Sequence, residues 1–204
     1  MSEKIPYPCV ILCGGKSSRM GEDKSLLQVD DKNLTLYQYE KMSKIFTQVF
    51  ISTKKDKFHQ KNLALILDED LNNYSPLIAL NSILKHFQNT YVFILSVDTP
   101  NISKESIFKL FHHLKSQNIL LASTKKHKHY LCGFYRGRNF EKTLQFLQEN
   151  NYKLALFCSQ MKAEFINFEN EEEFVNLNYF NEYKKWLHEK DNSTYIMRFE
   201  CFSK

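Results

Sequence analysis

The chain has 204 residues and a formal net charge of +5, and 43% of its residues are hydrophobic. This length fits a single domain with a substantial core, no apolar run approaches the ~20 residues that span a bilayer, and no basic cluster is interleaved with aromatic residues as in a nucleic-acid-binding surface. The five cysteines are odd in number and form no C-x-x-C pair, so neither a disulfide framework nor a zinc site is indicated.

Met1 to Pro8 contain charges and two prolines but no apolar signal-peptide core, so we expect a cytoplasmic protein.

Strand and helix patterns alternate in the first half of the chain. Continuous apolar runs predict strands at Cys9–Cys13, Val49–Ser52, Leu63–Leu67 and Tyr91–Val97. Apolar residues at helical spacing predict helices at Leu36–Phe46 and Leu77–Phe87, and a third that has Ser103 as its N-cap and extends to Leu114.

The pattern in the second half is weaker. Strands are predicted at Ile119–Ala122, Tyr130–Tyr135 and Glu164–Phe168, and helices at Phe140–Leu147 and Tyr179–His188. We interpret residues 1–190 as one domain. Residues 191–204 have no clear period and are interpreted as a C-terminal extension, either a tail or an added strand.

The alternation of strands and helices predicts an α/β fold with a mostly parallel central sheet and helices on both faces. Strands buried on both faces are continuously apolar rather than alternating, as they are here. Ligands of open α/β sheets bind at the carboxyl ends of the strands. The site is therefore expected just after Cys13, Ser52, Leu67 and Val97.

The segment from Leu12 to Lys24 contains three of the five glycines of the chain, together with Lys16, Arg19 and Lys24. Closely spaced glycines let backbone N–H groups approach phosphate oxygens, and the cations suit a triphosphate. A Walker A loop would need a glycine where Val10 stands, and G-x-G-x-x-G is absent because the glycines are adjacent. The alternative is a glycine-rich surface turn.

This loop resembles the L-x-G-G-x-x-x-R-M-G-x-D-K motif of Rossmann-like nucleotidyltransferases, and among them it is most similar to the molybdenum cofactor guanylyltransferases. The resemblance extends in islands from about Cys9 to His188. It implies that Arg19 and Lys24 act on the phosphates of GTP. It also implies nucleotide contacts from the loop backbone, at Leu12, Cys13, Gly14 and Gly15, with Cys13 standing where the family usually has alanine.

Asp98 follows the fourth strand in the segment Asp98-Thr99-Pro100. A carboxylate at this position would face the crevice and suit Mg²⁺, which prefers one or two carboxylates with phosphate oxygens and water. The family has a D-x-P motif here whose aspartate is the magnesium ligand, and the resemblance implies that role for Asp98. The alternative is that Asp98 caps the next helix, for which Ser103 is better placed.

Two further nucleotide contacts are implied by the resemblance. Asp68 matches a family aspartate that precedes a G-P-L turn, although Ser75 and Ala79 replace two glycines that follow it. Ser52 stands where relatives carry a nucleotide-binding asparagine. For Asp68 the alternative is a solvated acidic turn.

On the acceptor side, Asn176 and Asn178 match a late F-V-N-x-N segment of the family. The alternative for Asn178 is the N-cap of the last helix. The region Lys125–Arg136 could supply a pocket for the acceptor's phosphate, whereas His127 and His129 are interpreted as part of an exposed basic loop because no third metal ligand accompanies them.

The resemblance implies a Mg²⁺-dependent enzyme that transfers GMP from GTP to molybdopterin. The alternatives are a transferase that uses CTP with a molybdopterin, one that uses a sugar phosphate, and a nucleotide-binding regulator without catalysis. We expect a monomer that binds neither nucleic acid nor membranes and that contacts molybdenum cofactor biosynthesis proteins or apo-molybdoenzymes transiently.

Overall fold

The computed structural model describes residues 3–14, 23–58, 60, 62–70 and 73–201, with side chains described up to residue 190. Within this part of the chain lies a seven-stranded sheet in the order β5-β4-β1-β6-β8-β7-β9. Its strands are β1 Cys9–Leu12, β4 Val49–Thr53, β5 Leu65–Leu67, β6 Tyr91–Ser96, β7 Ile119–Thr124, β8 Lys128–Arg136 and β9 Glu164–Phe168. Two short strands, β2 Gln28–Val29 and β3 Lys32–Asn33, form a separate hairpin.

The sheet is mostly parallel, which confirms the predicted fold class. Strand β1 pairs in parallel with β4 and β6. Strand β4 also pairs in parallel with β5, and β7 pairs in parallel with β9. Among the described strands of this sheet, β8 alone runs antiparallel to both of its neighbours, and a short turn connects it to β7. Leu12 lies in register with Ser52 on one side and Ser96 on the other, so the carboxyl ends of three strands meet at one edge.

Helices cover both faces of this sheet. They are α1 Leu34–Ser43, α2 Pro76–His86, α3 Lys104–His113, α4 Phe140–Gln148, α5 Leu154–Gln160 and α6 Phe180–Cys201. Successive side chains of a strand point to opposite faces. Cys9 and Ile11 of β1 accordingly pack in one cluster with residues of α1, α3 and α6, whereas Val10 and Leu12 pack in a second with residues of α2, α4 and α5. Among the described helices, none combines the length and the apolar character needed to span a bilayer.

Several described elements differ from the prediction. The β2–β3 hairpin and α5 were not predicted, because strands of two residues and a helix of seven carry too little periodicity. Strand β5 begins at Leu65 instead of Leu63. Helix α6 extends to Cys201, so the predicted end at His188 was wrong, and the division between residues 1–190 and 191–204 remains a prediction that falls within this helix.

Gly133 in β8 allows the close packing of β7 on β8. Its φ of 154° is rare for residues with side chains, and a Cβ atom there would lie 2.2 Å from the carbonyl oxygen of Leu120. We expect Gly133→Ala to lower the free energy of unfolding by about 3 kcal/mol, because backbone must move to relieve the overlap. Urea denaturation measures the change. His127→Ala, in the exposed β7–β8 turn, is the control, and equal midpoints for the two variants would contradict the expectation.

Candidate functional site

The site lies at the edge where β1, β4 and β6 end. The backbone N–H of Cys13 donates to the carbonyl oxygen of Ser52 at 2.8 Å, and that of Val97 donates to Leu12 at 3.1 Å. The loops that follow these strands are therefore held side by side. The predicted residues of the edge fall into two groups, one around Asp98 and one around Asp68.

Lys24 belongs to the group around Asp98, although the two residues are far apart in sequence. It begins a short 3₁₀ turn, Lys24–Leu26, whose N-terminus is capped by the Asp23 carboxylate. The Lys24 Nζ lies 3.4 Å from Oδ2 of Asp98 and donates to Oδ1 of Asn178 at 3.0 Å. Three residues that are distant in sequence thus place a cation, a carboxylate and an amide together.

Asp98 has the chemistry of a metal ligand. Its Oδ1 is buried and has no hydrogen-bond partner among the described residues. The described residues contain no group of three or more His, Cys, Asp or Glu side chains that could hold a metal by themselves. A single carboxylate nevertheless fits Mg²⁺, which commonly takes its remaining ligands from nucleotide phosphates and water. The capping alternative fails because Ser103 caps α3 by accepting from the Ser106 N–H at 3.0 Å.

Both predicted asparagines contact this group. The Thr99 hydroxyl donates to Oδ1 of Asn176 at 2.8 Å, and the intervening Leu177 N–H donates to the Asp98 carbonyl. Helix α6 begins at Phe180, and the Glu182 carboxylate accepts from the two N–H groups just before it, those of Asn178 at 2.7 Å and Tyr179 at 2.9 Å. The Asn178 side chain is therefore directed to Lys24 instead of capping the helix.

Asp68, Ser52 and Gly14 form the second group. The Ser52 hydroxyl donates to Oδ1 of Asp68 at 3.2 Å, and a Cβ atom on Gly14 would lie 3.5 Å from Oδ2. Burial raises the pKa of the Asp68 carboxyl, against the opposing effects of the Ser52 hydrogen bond and the Lys54 charge. Asp68 is only 6% exposed, which argues against a solvated acidic turn.

The two departures from the family's glycines leave the entry of α2 intact. Ser75 is the N-cap of this helix, and its hydroxyl accepts from the Leu77 N–H at 3.2 Å. Ala79 is buried in the helix at 4% exposure. A serine at the cap stabilises the helix start, so this part of the edge keeps its shape.

Cys13 and Leu12 are buried at the end of β1. The Cys13 Sγ lies 3.4 Å from the Thr35 hydroxyl, and burial raises the pKa of the thiol to about 12, so it is neutral at pH 7. The carbonyl of Leu12 is already bonded within the sheet. Gly15 and Arg19, also predicted to bind the nucleotide, lie outside the described residues.

Lys57 was missed by the sequence analysis. Its Nζ donates to the Cys13 carbonyl at 3.2 Å and forms a 2.6 Å ion pair with Asp23, and its side chain is only 15% exposed. The basic cluster Lys54–Lys57 had the composition of a solvated surface, so the sequence carried no signal that this lysine contacts the glycine loop.

A cavity of about 280 Å³ opens beside Asp98 on the β8 side of the edge. It is lined by Ser96, Asp98, Thr99, Asn176, Leu154 and residues 128–132 of β8. His129 lies within β8 and its ring stacks on Phe174 at 4.9 Å, so the interpretation of His129 as part of an exposed loop was wrong, whereas His127 is exposed. Burial lowers the pKa of His129, which favours the neutral ring.

Comparison with known proteins gives a consistent family assignment. Residues 9–162 match the family model of the MobA-like NTP transferase domain. A molybdenum cofactor guanylyltransferase of Campylobacter jejuni is 46% identical over 183 residues, which cover 89% of this chain and 95% of the relative. One of Helicobacter pylori is 33% identical over 183 residues, covering 87% of this chain and 90% of the relative.

A solved structure supports the fold. The crystal structure of molybdopterin-guanine dinucleotide biosynthesis protein A from Archaeoglobus fulgidus superposes with a TM-score of 0.76 and covers 91% of this chain and 100% of that chain. The two sequences are 15% identical, so this likeness concerns the fold alone.

Proposed function

The chain belongs to the family of MobA-like NTP transferases, and we propose that it transfers GMP from GTP to molybdenum-molybdopterin, releasing pyrophosphate and forming the guanine dinucleotide cofactor. The observation that carries the proposal is the position of the Asp98 carboxylate. It lies between the Lys24 ammonium and a cavity that can take an acceptor. The relatives in Campylobacter jejuni and Helicobacter pylori are named for this activity, and this chain matches nearly their whole length.

We place the nucleotide over the carboxyl ends of β1, β4 and β5. Gly14 offers a close backbone approach, and Ser52 and Asp68 supply hydrogen-bonding groups for the nucleoside. Lys24 and Lys57 bring positive charge to the triphosphate, together with Arg19. Fixed charges of this kind stabilise phosphoryl transfer without covalent participation of the protein.

Asp98 would hold Mg²⁺, which when bound would supply positive charge to the α-phosphate and the departing pyrophosphate. The orphaned Oδ1 and the carboxylate chemistry support this role. Asn176 accepts a hydrogen bond from Thr99 and Asn178 accepts one from Lys24. These two bonds hold the segment that contains both asparagines against the Asp98 carboxylate.

The acceptor is placed in the cavity beside Asp98. Its terminal phosphate oxygen forms a bond to the α-phosphorus of GTP while the bond to the bridging oxygen of pyrophosphate breaks. Because this oxygen is already anionic, no general base is required, and alignment across Asp98 is the main contribution of the protein. Lys128 lines the cavity and supplies a cation for the acceptor's phosphate.

Incubation with molybdopterin, Mg²⁺ and each NTP in turn tests the proposal. We expect pyrophosphate release with GTP at least ~10-fold faster than with CTP, ATP or UTP, since a site built for hydrogen bonding rejects bases with unmatched groups. Faster release with CTP than with GTP would indicate the cytidylyl reaction. Release only in a parallel assay in which a sugar phosphate replaces molybdopterin would indicate a sister transferase. Thermal stabilisation by GTP without any pyrophosphate would indicate a nucleotide-binding regulator and would contradict the proposal.

The other expectations remain proposals. These are the monomeric state, the cytoplasmic location, the lack of nucleic-acid and membrane partners, and transient contact with molybdenum cofactor biosynthesis proteins or apo-molybdoenzymes. Gel filtration with light scattering measures the first directly.

A further inference from the structure

Three consecutive backbone carbonyls in the loop after β6 each accept a hydrogen bond from another part of the chain. The loop contains Asp98 and continues into a proline, which has no N–H of its own to fix the backbone. The bonds are from the Leu177 N–H to Asp98 at 2.8 Å, from Gln38 Nε2 to Thr99 at 2.9 Å, and from Lys41 Nζ to Pro100 at 2.6 Å.

Two of the three donors come from one face of α1. Gln38 and Lys41 are three residues apart, which places their side chains next to each other on a helix. Gln38 is fully buried, and its Nε2 serves the loop. Helix α1 therefore supports the backbone that carries the Asp98 carboxylate.

The partial burial of Lys41 costs free energy that a lysine with a purely space-filling role would not recover. Its side chain is partly buried, and burial lowers the pKa of its ammonium to about 8, against the opposing effect of the Glu173 charge. Removal of an ammonium from water is unfavourable unless a specific hydrogen bond or ion pair compensates for the lost hydration. A hydrogen bond from an ammonium to a carbonyl is stronger and shorter than a neutral one.

We propose that Lys41, together with Gln38, is a positioning residue that sets the place of the Asp98 carboxylate by holding the carbonyls of Pro100 and Thr99. The inference rests on the proposed function, because it assigns Lys41 to the alignment of the carboxylate with metal and α-phosphate. Lys41 does not touch the reacting groups. It acts through two residues of loop backbone.

Lys41→Met tests this inference, since Met keeps most of the length of the side chain and removes its donors. We expect kcat to fall about 10-fold and the half-saturating Mg²⁺ concentration to rise about 10-fold, as for residues that orient a metal ligand, while the KM for GTP stays within about twofold. Lys44→Met is the matched control, because Lys44 is the exposed C-cap of the same helix. Gln38→Met, which removes the neighbouring donor, should change the same two quantities in the same direction.

A second measurement needs no turnover. The Leu177 amide is bonded to the Asp98 carbonyl, so its hydrogen exchange followed by NMR reports the order of this loop. We expect this amide to exchange about 10-fold faster in Lys41→Met than in Lys44→Met, with the amides of β1 unchanged.

Equal acceleration of the β1 amides would show that Lys41 only stabilises the fold and would overturn the inference. So would a Lys41→Met enzyme whose kcat and Mg²⁺ dependence match those of Lys44→Met. Failure of the proposed function looks different, because the unsubstituted protein would then release no pyrophosphate, while the exchange measurement would still report the loop.

Discussion

Asp98→Asn is expected to lower turnover by about 10²-fold or more while the protein remains folded. Asparagine preserves the shape of the side chain but removes the negative charge that makes a carboxylate a strong Mg²⁺ ligand. Oδ1 of Asp98 is buried without a partner among the described residues, and Oδ2 makes only a long 3.4 Å contact with Lys24, so little stabilising interaction is lost. Initial rates of pyrophosphate release at saturating GTP, measured over a series of Mg²⁺ concentrations, give the effect.

The Mg²⁺ series also identifies the cause. An amide oxygen is a weaker ligand than a carboxylate, so part of the lost rate should return at high Mg²⁺ concentration. Asp31→Asn is the control, because the Asp31 side chain is 85% exposed in the turn between β2 and β3. If Asp98→Asn retained full activity with an unchanged circular dichroism spectrum, Asp98 would be removed from the site.

The sheet could be predicted from sequence because each central strand is a continuous apolar run. Cys9–Cys13 and Tyr91–Val97 bury side chains on both faces, and a run of this kind has few alternatives to a central parallel strand. Once the strands are parallel, their carboxyl ends must meet at one edge. The proximity of Gly14 to Asp68 and of the first loop to Asp98 follows from that rule.

The contacts that complete the edge could not be predicted. Lys24 and Asn178 are 154 residues apart, and their 3.0 Å bond depends on how α6 and the segment before it pack. Lys57 and His129 have the sequence context of solvated basic loops, yet packing partly buries both. Local composition carries no information on which charged side chain the tertiary fold will cover.

The short elements were missed for a related reason. The β2–β3 hairpin follows the Lys24–Leu26 turn, and its two-residue strands have no measurable period. Its place is fixed instead by long-range bonds, among them the Tyr183 hydroxyl to the Gln28 carbonyl and a 2.6 Å ion pair from Lys190 to Asp30. Helix α6 thus helps to hold the segment that presents Lys24.

Lys24→Met should lower kcat/KM for GTP by about 10²-fold, through a higher KM for GTP and a lower kcat. The ammonium is expected to leave Asp98 and Asn178 for the triphosphate when nucleotide and metal bind, because its 3.4 Å contact with Oδ2 is long and partly exposed. The Lys24 side chain is 17% exposed and its ammonium also donates to Asn178, so thermal unfolding of the variant is measured alongside to separate loss of stability from loss of function. Steady-state kinetics with varied GTP give both constants.

The response to metal separates Lys24 from Asp98. The ammonium competes with a cation for the same carboxylate, so its removal should lower the half-saturating Mg²⁺ concentration, whereas Asp98→Asn should raise it. Lys185→Met, at a side chain that is 79% exposed on α6, controls for loss of a positive charge. Opposite Mg²⁺ responses of the two variants are expected if Lys24 binds the triphosphate and Asp98 holds the metal. Parallel responses of the two variants would mean that Lys24 acts only by orienting Asp98.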